Sequence, residues 1–598
     1  MKIAIAQVPS ANGDLALARR RITSCCERAA EAGAGLVVFP STVVAPAVPV
    51  PMPDREGMLV DTAQLVSSLA EGLACPAIVP MPLASADDPV MEAVFLDGES
   101  VVPLRLLGTL RQIASDDPDG EEALSLPQLE VGGLTLGVAF TYEDLDEYVD
   151  YDYHVDAVLF LTTYGFAIDD AASALGASLS ESRFRADADA MGAWVVGVGG
   201  VGCCDAEVFP GSSFAVAPWG ELACQAPSFE EALVFADIQK GAEGPLAATS
   251  PAQVFDPAIL AWEAAAEGTR ALCRSLGKTT ARIVVDGGMP SMLACAVATD
   301  ALGPTNVLPT VLTWGDGRDD ASRELVRNLR LEADELEADE LDAAGLDAAG
   351  NDELARDLAW ARVAARARKD GSAVLSAADK TALALGSAHA RDLGCVLPFG
   401  DLYRSDVLAL SRLRNTVSPV VPAAARASWP LEDIASLAGG SSAEKRLEQL
   451  DFVISSFIEW ETPLTDIVAA CENEELACAV VATVRSSVSA LPGRLLAPTL
   501  SSKTLDEARG ALGLAWRDHV RPKEERVDRE AVAAEIAGAF GLGADQAGGD
   551  APEAPQEALD ILGMIGAQDV PGDHGGQRHD GGKPGDPGLF WGSPFSEN

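Results

Sequence analysis

The sequence is poor in histidine and lacks several common signals. Only five of its 598 residues are His, and its eleven Cys include no Cys-x-x-Cys pair, so a zinc site with the usual ligand spacing is not expected. An odd number of scattered Cys is typical of packed thiols in a reducing cytoplasm. The N-terminus lacks the basic region and cleavage site of a secretory signal. The apolar stretches are too short or too rich in Gly to span a bilayer, so the sequence predicts a cytoplasmic protein.

Positive charge is also scarce, because 43 Lys and Arg stand against 91 Asp and Glu and give a net charge of −48. Binding to nucleic-acid phosphates needs clustered basic side chains, and docking on anionic lipid needs a basic surface. We therefore expect no nucleic-acid or membrane partner. Hydrophobic residues make up 48% of the chain, which is enough for two or more domains with large cores.

Short apolar runs dominate the first 240 residues. Residues 2–8 and 35–40 have the pattern of buried strands, and residues 15–33 between them have that of a helix, which together indicate a βαβ unit. Similar strand patterns follow at Ala77–Pro80, Leu134–Phe140, Ala157–Leu161 and Trp194–Val198. We therefore predict one α/β domain over residues 1–240.

The remainder is predicted to contain three further regions. These are a helical connector over residues 241–280, a second α/β domain over 281–540 and a disordered acidic tail over 541–598, which is rich in Gly, Pro and Asp. The second domain opens with a strand at Ala281–Val285, a Gly-Gly turn and a helix at Ser291–Ala301.

Residues 331–350 consist of a repeated pentapeptide, LEADE twice and then LDAAG twice. Its acidic and Ala-rich composition favours an exposed helix or a disordered insert that carries no site. The aromatic cluster LFWGSPF at residues 589–595 is weak evidence for a docking motif, and we interpret it as part of the tail.

Three segments of the first domain have the sequence features of a known enzyme family. They are the opening MKIAIAQV with AGAGLVVFP, then VGGLTLGVAFTYEDL at 131–145, and VGCCDAEVFPGSSFAVAPWGEL at 201–222. These segments resemble the amidase domain of the nitrilase superfamily. The resemblance implies a four-layer αββα sandwich in which a Cys nucleophile, a Glu base and a Lys hydrolyse an amide.

The three catalytic residues that the resemblance implies are all replaced. Ser41 stands in place of the Glu and Thr141 in place of the Cys, while no Lys occurs between residues 3 and 239. Arg105 or Arg111 could keep a positive charge nearby. A Ser hydroxyl is not a base near neutral pH, and a Thr nucleophile needs a base beside it. We therefore predict that this domain does not hydrolyse amides by the family mechanism.

Two other interpretations of the same region stay open. In the first, Thr141 acts as a nucleophile through Tyr142 or Glu143, which we consider less favoured. In the second, the acidic run Glu143–Asp152 holds a cation, although runs of charge are more often solvated surfaces. We adopt the solvated surface as the prediction.

Three segments of the second domain resemble another family. They are ARIVVDGGMPSMLACAVATDALGPTNVLP at 281–309, AADKTALALG at 377–386 and PFGDLYRSDVLALSRLRN at 398–415. They are similar to the ATP-pyrophosphatase module of NAD+ synthetases, and the two halves together resemble glutamine-dependent NAD+ synthetases. The resemblance implies a Rossmann-like α/β domain that uses ATP and Mg²⁺ to amidate nicotinate adenine dinucleotide, in an oligomer.

The resemblance also supplies a candidate nucleotide site and shows where it departs from the family. The family loop reads Ser-Gly-Gly-x-Asp-Ser, but here an acidic side chain replaces the first Ser, and Pro290 and Ala382 stand at the two metal-ligand positions. For Lys380 and Arg404 a surface charge is the alternative. The candidate nucleotide-binding residues are Asp286, Gly287, Gly288, Ser291, Lys380, Thr381, Asp401 and Arg404.

These departures lead to three hypotheses of function. The favoured one is a glutamine-dependent NAD+ synthetase-like protein that is inactive in both domains and serves as a structural or regulatory partner, in a homo-oligomer or with a paralogue. The second is an active NAD+ synthetase in which Asp286 and Asp379 replace the lost metal ligands. The third is a module that binds adenine nucleotide or nicotinate adenine dinucleotide without turnover.

Overall fold

The structure is a computed structural model, and it describes most of the chain up to residue 522. Arg111, the tail from residue 541 and its aromatic cluster lie outside the described residues. The described residues are 1–46, 55–83, 90–98, 100–107, 126–150, 154–170, 175–180, 182–251, 253, 256–338, 352–386, 394–422, 434, 436–440, 442–491, 493–510 and 517–522.

The first part of the chain is built from fourteen described strands and five described helices. The strands are β1 (Lys2–Gln7), β2 (Leu36–Val38), β3 (Ala77–Leu83), β4 (Val90–Asp97), β5 (Ser100–Pro103), β6 (Gln128–Val131), β7 (Leu134–Ala139), β8 (Ala157–Phe160), β9 (Trp194–Gly197), β10 (Val201–Cys204), β11 (Glu207–Pro210), β12 (Phe214–Val216), β13 (Leu222–Gln225) and β14 (Ala232–Asp237). The helices are α1 (Leu15–Glu31), α2 (Arg55–Leu69), α3 (Tyr142–Asp150), α4 (Leu175–Ser180) and α5 (Arg183–Met191).

Two six-stranded sheets of this part pack face to face, in the orders β14-β1-β2-β3-β4-β5 and β13-β12-β9-β8-β7-β6. Alternate residues of β1 point to opposite faces, so Ile3 packs between the sheets with Leu136 of β7, while Ala4 packs against Ile22 of α1. Helices α4 and α5 cover the second sheet, where Phe184 is buried. Both faces of each sheet are thus buried, which explains the continuous apolar runs and confirms the predicted αββα sandwich.

The second part contains one small sheet and nine described α-helices. Its strands are β15 (Ala281–Val285), β16 (Val307–Thr313), β17 (Asp334–Glu337) and β18 (Ala373–Val374). Its helices are α6 (Pro257–Ser275), α7 (Met289–Leu302), α8 (Gly317–Asn328), α9 (Asp352–Asp370), α10 (Lys380–Ala384), α11 (Arg404–Val417), α12 (Ala443–Ile458), α13 (Leu464–Cys471) and α14 (Glu474–Ala490).

The sheet of the second part is parallel, in the order β17-β16-β15-β18, and α7 follows β15 directly. This arrangement confirms the predicted Rossmann-like fold class. Helix α7 begins at Met289, two residues before the predicted start at Ser291, because Pro290 lies within its first turn. Proline is well tolerated there, since its missing N–H would have no partner inside the helix.

The acidic repeat contributes a strand to this sheet. The prediction of an exposed helix or a disordered insert is wrong for Asp334–Glu337, which pairs in parallel with β16, whereas residues 339–350 lie outside the described residues. Leu336 is buried with Leu312. On the same strand, Glu335 pairs with Arg323 and Asp334 pairs with Arg366. One apolar residue between acidic neighbours is therefore enough for an edge strand when Arg side chains of the flanking helices pair with the acidic residues of the strand.

One hydrophobic cluster spans the two parts of the chain. Val208 of β11 packs in the same cluster as the buried face of α6 and the helix α7. Backbone hydrogen bonds also cross the junction, from the Ile168 N–H to the Leu500 carbonyl and from the Thr499 N–H to the Ala206 carbonyl, each at 2.8 Å. The connection between the parts is thus packed and hydrogen-bonded.

The cysteines behave as the sequence predicts. All eleven are free thiols, and ten of them are buried. Over the described part of the chain, every helix is too short or too polar to cross a lipid bilayer.

We expect the Leu336→Ala variant to lower the free energy of unfolding by about 2 kcal/mol or more, because it removes buried methyl groups from the contact between β17 and α9. Urea denaturation followed by circular dichroism measures this change. The matched control is Glu337→Ala, an exposed position on the same strand, where a change within about 0.5 kcal/mol is expected. Equal effects of the two variants would contradict the burial of this strand.

Candidate functional site

Ser41 lies at the end of β2, between the two sheets of the sandwich. It is buried, and its hydroxyl donates a hydrogen bond to the Thr162 carbonyl at 2.6 Å. Because β2 and β8 belong to opposite sheets, this bond connects the loop after β2 to the loop after β8. The hydroxyl thus has a structural role, and a Ser hydroxyl does not supply a general base.

Thr141 follows β7 and caps the N-terminus of α3. Its hydroxyl oxygen accepts a hydrogen bond from the Asp144 N–H at 3.1 Å, and the Asp144 carboxylate accepts one from the Thr141 N–H at 3.3 Å. The same carboxylate oxygen accepts the Phe140 N–H at 2.8 Å. This reciprocal pattern is a capping box, in which two side chains satisfy backbone groups that the helix leaves unpaired.

Arg105 keeps a positive charge close to Thr141, as the sequence allowed. One nitrogen of its guanidinium lies 2.8 Å from the Asp144 carboxylate, and the guanidinium is 5.3 Å from the centre of the Phe140 ring. An Arg–carboxylate contact of this length is a strong, charge-assisted hydrogen bond. The charge of Arg105 is therefore neutralised by Asp144, the second side chain of the capping box.

The carboxylate that the Thr141 hydroxyl contacts, Glu143, is a weak base. A hydrogen bond from the backbone N–H of Glu143 and a second from the Thr141 hydroxyl lower the pKa of the Glu143 carboxyl, which makes it a weaker base. Burial raises the pKa of Tyr142 to about 12, so its phenol stays protonated. The Tyr142 ring lies beneath the Arg183 guanidinium at 4.0 Å and stacks on Tyr164. Neither group favours the interpretation in which Thr141 acts as a nucleophile.

In the second part, Asp286 directly follows β15 and occupies the centre of the glycine loop. One oxygen of its carboxylate accepts hydrogen bonds from the Gly288 N–H at 3.0 Å and the Ser291 hydroxyl at 2.6 Å. The other oxygen accepts one from Arg356 of α9 at 2.6 Å. Burial alone would raise the pKa of Asp286, but Arg356 and these hydrogen bonds outweigh it and hold the pKa below its ordinary value.

Gly287 adopts a conformation that only glycine adopts easily, with φ of +86°. A Cβ atom at this position would lie 2.6 Å from the Cβ of Arg318. The Arg318 guanidinium stacks on Trp314 at 4.2 Å, and the Trp314 indole N–H donates to the Asp286 carbonyl at 2.9 Å. The glycine is thus required by the packing of α8 against the loop, whatever the loop binds.

The two positions that the resemblance assigns to metal ligands do not fit Mg²⁺. Pro290 lies in the first turn of α7 and Ala382 in α10, and both are buried. Neither side chain has an oxygen atom, and Mg²⁺ is bound through oxygen ligands. In the part of the chain that the structure describes, no group of three or more His, Cys, Asp or Glu is placed to hold a metal ion.

Lys380 is completely buried at the start of α10, so the alternative of a surface charge is wrong for it. Its ammonium donates hydrogen bonds to the Ser501 hydroxyl and the Lys503 carbonyl, each at 2.7 Å, and to the Glu459 carboxylate. A second carboxylate, Asp401, lies 3.2 Å away. Burial alone would lower the pKa of Lys380, but Asp401 and Glu459 outweigh it and hold the pKa above its ordinary value.

Arg404 is also buried, so a surface charge is wrong here too, and its guanidinium pairs with Asp379. The backbone N–H of Arg404 donates to the Thr381 hydroxyl at 2.8 Å, and this hydroxyl donates to the Asp451 carboxylate at 2.6 Å. Asp401 accepts the N–H groups of Leu500 and Ser501 at 2.8 Å each. The candidate residues thus form two groups. One surrounds the glycine loop, and the other, with Lys380, Thr381, Asp401 and Arg404, is a buried network.

Two further carboxylates in this network are candidates for protonation. Burial raises the pKa of Asp406 to about 8 and that of Asp451 to about 6. The charge of Asp451 raises the pKa of Asp406 further, and the charge of Asp379 raises the pKa of Asp451. The charged groups that act on Asp406 are Asp451, Asp169 and Lys380.

Several residues of both sites were missed by the sequence analysis. The spacing of Thr141 and Asp144 is that of a capping box and could have been recognised. Arg356 and Glu459 lie 70 and 79 residues from the groups they bind, and no local pattern indicates them. Such partners become visible only when the helices that carry them are placed.

Residues 2–247 match the family model of carbon-nitrogen hydrolases. Over 79% of its length, the chain is 26% identical to the glutamine-dependent NAD+ synthetase of Xylella fastidiosa (strain 9a5c), and the match covers 90% of that protein. The sequence is thus similar to that of a glutamine-dependent NAD+ synthetase over most of its length. The enzyme of this name from Rhodobacter capsulatus is 29% identical over 45% of the chain, a match that spans 54% of that enzyme's own length.

Solved structures of NAD+ synthetases share the fold across both parts. The glutamine-dependent enzyme from Cytophaga hutchinsonii superposes with a TM-score of 0.60 and 11% identity, covering 88% of this chain and 98% of its own. The enzyme from Acinetobacter baumannii, solved in complex with ADP, gives 0.57 and 20%, covering 85% of this chain and 97% of its own. The likeness confirms a nitrilase-like sandwich followed by an ATP-pyrophosphatase-like domain.

We expect Lys380→Met to destabilise the protein by about 3–5 kcal/mol, because it leaves the buried carboxylates of Asp401 and Glu459 without their cation. Chemical denaturation measures the change. Lys240→Met is the matched control, since Lys240 is 65% exposed in its pair with Asp156 and the loss should be below about 1 kcal/mol. Similar losses for the two variants would contradict a central role for Lys380.

The pH dependence of stability tests the buried state of Asp406. The folded protein keeps this carboxyl protonated up to a pKa of about 8, whereas the unfolded chain loses the proton near pH 3.8. The unfolded state therefore binds fewer protons between these values, and stability falls as the pH rises from about 4 to about 8. Asp406→Asn is neutral throughout and should remove up to about 1.4 kcal/mol of this fall per pH unit.

Urea denaturation of both proteins at pH 5, 6, 7 and 8 measures the difference. Asp320→Asn is the control, because Asp320 is exposed on α8 and its variant should keep the slope of the wild-type protein. Parallel curves for the wild-type protein and Asp406→Asn would show that Asp406 titrates normally in the folded state.

Proposed function

We propose that the chain is a catalytically inactive relative of the glutamine-dependent NAD+ synthetases that acts as a structural or regulatory partner of another chain. The observation that carries this proposal is the capping box at Thr141. A nucleophile must present a reactive atom beside a base. Here the hydroxyl accepts the Asp144 N–H and donates to Glu143, whose pKa is lowered, and Ser41 donates to a carbonyl. We therefore expect glutamine to meet only a weakly activated hydroxyl.

The ATP-dependent half supports the same proposal. Phosphoryl and adenylyl chemistry on ATP depends on a metal that neutralises the phosphates. Pro290 and Ala382 supply no oxygen ligand. The two acids that an active variant would recruit are already occupied, because Asp286 is paired with Arg356 while Asp379 is paired with Arg404 and caps α10. An active enzyme with relocated ligands is thus not favoured.

The preserved fold supports the second part of the proposal, the role as a partner of another chain. Both domains keep their cores, and the junction between them is fully packed, although the reactive groups are replaced. A preserved fold without chemistry suits assembly with a second copy of this chain or with an active paralogue in the cytoplasm. The domains in this proposal are residues 1–240, the connector 241–280, residues 281–540 and the tail 541–598.

A synthesis assay on the purified full chain tests the loss of activity. With nicotinate adenine dinucleotide, ATP and Mg²⁺, we expect neither NAD+ nor AMP, with glutamine or with ammonium as the nitrogen donor. The Xylella fastidiosa enzyme serves as the positive control, and circular dichroism verifies that the chain is folded. NAD+ formed with ammonium alone would show a working synthetase half, and NAD+ formed with glutamine would overturn the proposal for both halves.

Sedimentation velocity tests the partner role with the same preparation. We expect a stable oligomer, either of the chain alone or after mixing with an intact synthetase from the same cell. A monomer that remains a monomer in the mixture would overturn the partner role and leave the inactivity to be judged by the assay.

A further inference from the structure

We propose that the Asp286 carboxylate is a built-in substitute for a bound anion, which locks the glycine loop to helix α9 and excludes phosphate from the loop. We call the contacts of Asp286 with Gly288, Ser291 and Arg356 the Asp286 lock. The inference deepens the proposed function and rests on it, because a loop that is filled by its own carboxylate has no place for the phosphates of ATP.

The donors of the lock are those that bind an anion. The Gly288 N–H and the Ser291 hydroxyl lie at the N-terminus of α7, where the helix dipole favours negative charge, and Arg356 adds a full positive charge. All three converge on one carboxylate, which presents oxygens of the same kind as those of a phosphate. A second anion at this place would meet the negative charge of Asp286 with its donors already used.

Contacts with Trp314 and Arg318 hold the Asp286 lock in position. Trp314 donates its indole N–H to the Asp286 carbonyl, and Arg318 stacks on the Trp314 ring. The Arg318 guanidinium also pairs with Asp352 at 2.6 Å, one turn before Arg356 on α9. The first turns of α9 are thus fixed to the loop at two points, so Arg356 stays directed at the loop when the carboxylate is removed.

The side-chain environment explains why the carboxylate remains charged. Its pKa is held below the ordinary value by Arg356 and by the loop donors, although only 16% of the side chain is exposed. Removal of the carboxylate leaves a cation and two hydrogen-bond donors around a vacated position. The structure therefore assigns to this loop a latent anion site that the native chain fills itself.

Asp286→Ser in the full chain tests the lock, with inorganic pyrophosphate as the probe and no Mg²⁺. Without pyrophosphate the variant should melt at a lower temperature than the wild-type protein. Added pyrophosphate should raise its melting temperature, with binding by calorimetry at least tenfold tighter than to the wild-type protein. The double variant Asp286→Ser/Arg356→Gln should lose this response. Sodium chloride at matched ionic strength controls for general screening.

Two further variants keep the result interpretable. Asp320→Ser removes one exposed charge outside the lock and should respond to pyrophosphate as the wild-type protein does. If Asp286→Ser does not fold, Asp286→Asn keeps the shape and an acceptor while removing the charge, and it should bind pyrophosphate more tightly than the wild-type protein. Folded Asp286 variants without a gain in binding, or equal binding by the wild-type protein, would overturn the lock. Formation of NAD+ by the wild-type protein would overturn the proposed function, whereas the comparison of pyrophosphate binding between the wild-type protein and the Asp286 variants tests the lock by itself.

Discussion

A single buried ammonium group organises the second half of the molecule. Lys380 has no contact with water, and an unpaired charge in the interior is strongly unfavourable. Its partners Asp401, Glu459 and Ser501 come from segments that are distant in the sequence, and satisfying the charge requires all of them to meet. The segment that carries Ser501 also contacts the sandwich, since Ser502 donates its N–H to the Asp169 carboxylate at 2.8 Å. One charge thus links the network to the junction between the two parts.

The positions that the resemblance assigns to functional groups of the family carry side chains with structural contacts in this chain. Ser41 joins the loops of two facing sheets, Thr141 caps a helix, and Asp286 satisfies the glycine loop. In each case a polar side chain bonds nearby backbone or hydroxyl groups, which stabilises the fold. Polar groups of an open active site must stay available to a substrate, and that requirement usually costs stability. Ser41, Thr141 and Asp286 are not subject to this requirement, because their polar groups are bonded within the protein.

The sequence was sufficient to predict many of the strands and helices, but it was insufficient to predict which residues pair with the charged side chains. Strands such as β1 and β15 are short, continuous apolar runs, and their periodicity is encoded locally. The burial of Lys380 and Arg404 is not encoded in that way, because a lysine beside a predicted helix looks the same in the sequence whether it is solvated or enclosed. Arg356 lies on a helix 70 residues after Asp286, and the pairing depends on how α9 packs on the sheet.

The strand inside the acidic repeat shows where composition misleads. Composition averages over a window and predicts solvation, whereas Leu336 needs only its own position opposite Leu312 to be buried. The strand reads Asp-Glu-Leu-Glu at 334–337, and the sequence offers Asp-Glu-Leu-Asp again at 339–342. Gain or loss of one five-residue unit would bring an equivalent segment to the edge of the sheet with its leucine inward. Replication slippage in this tract can therefore change the length of the chain while the strand at this edge is conserved.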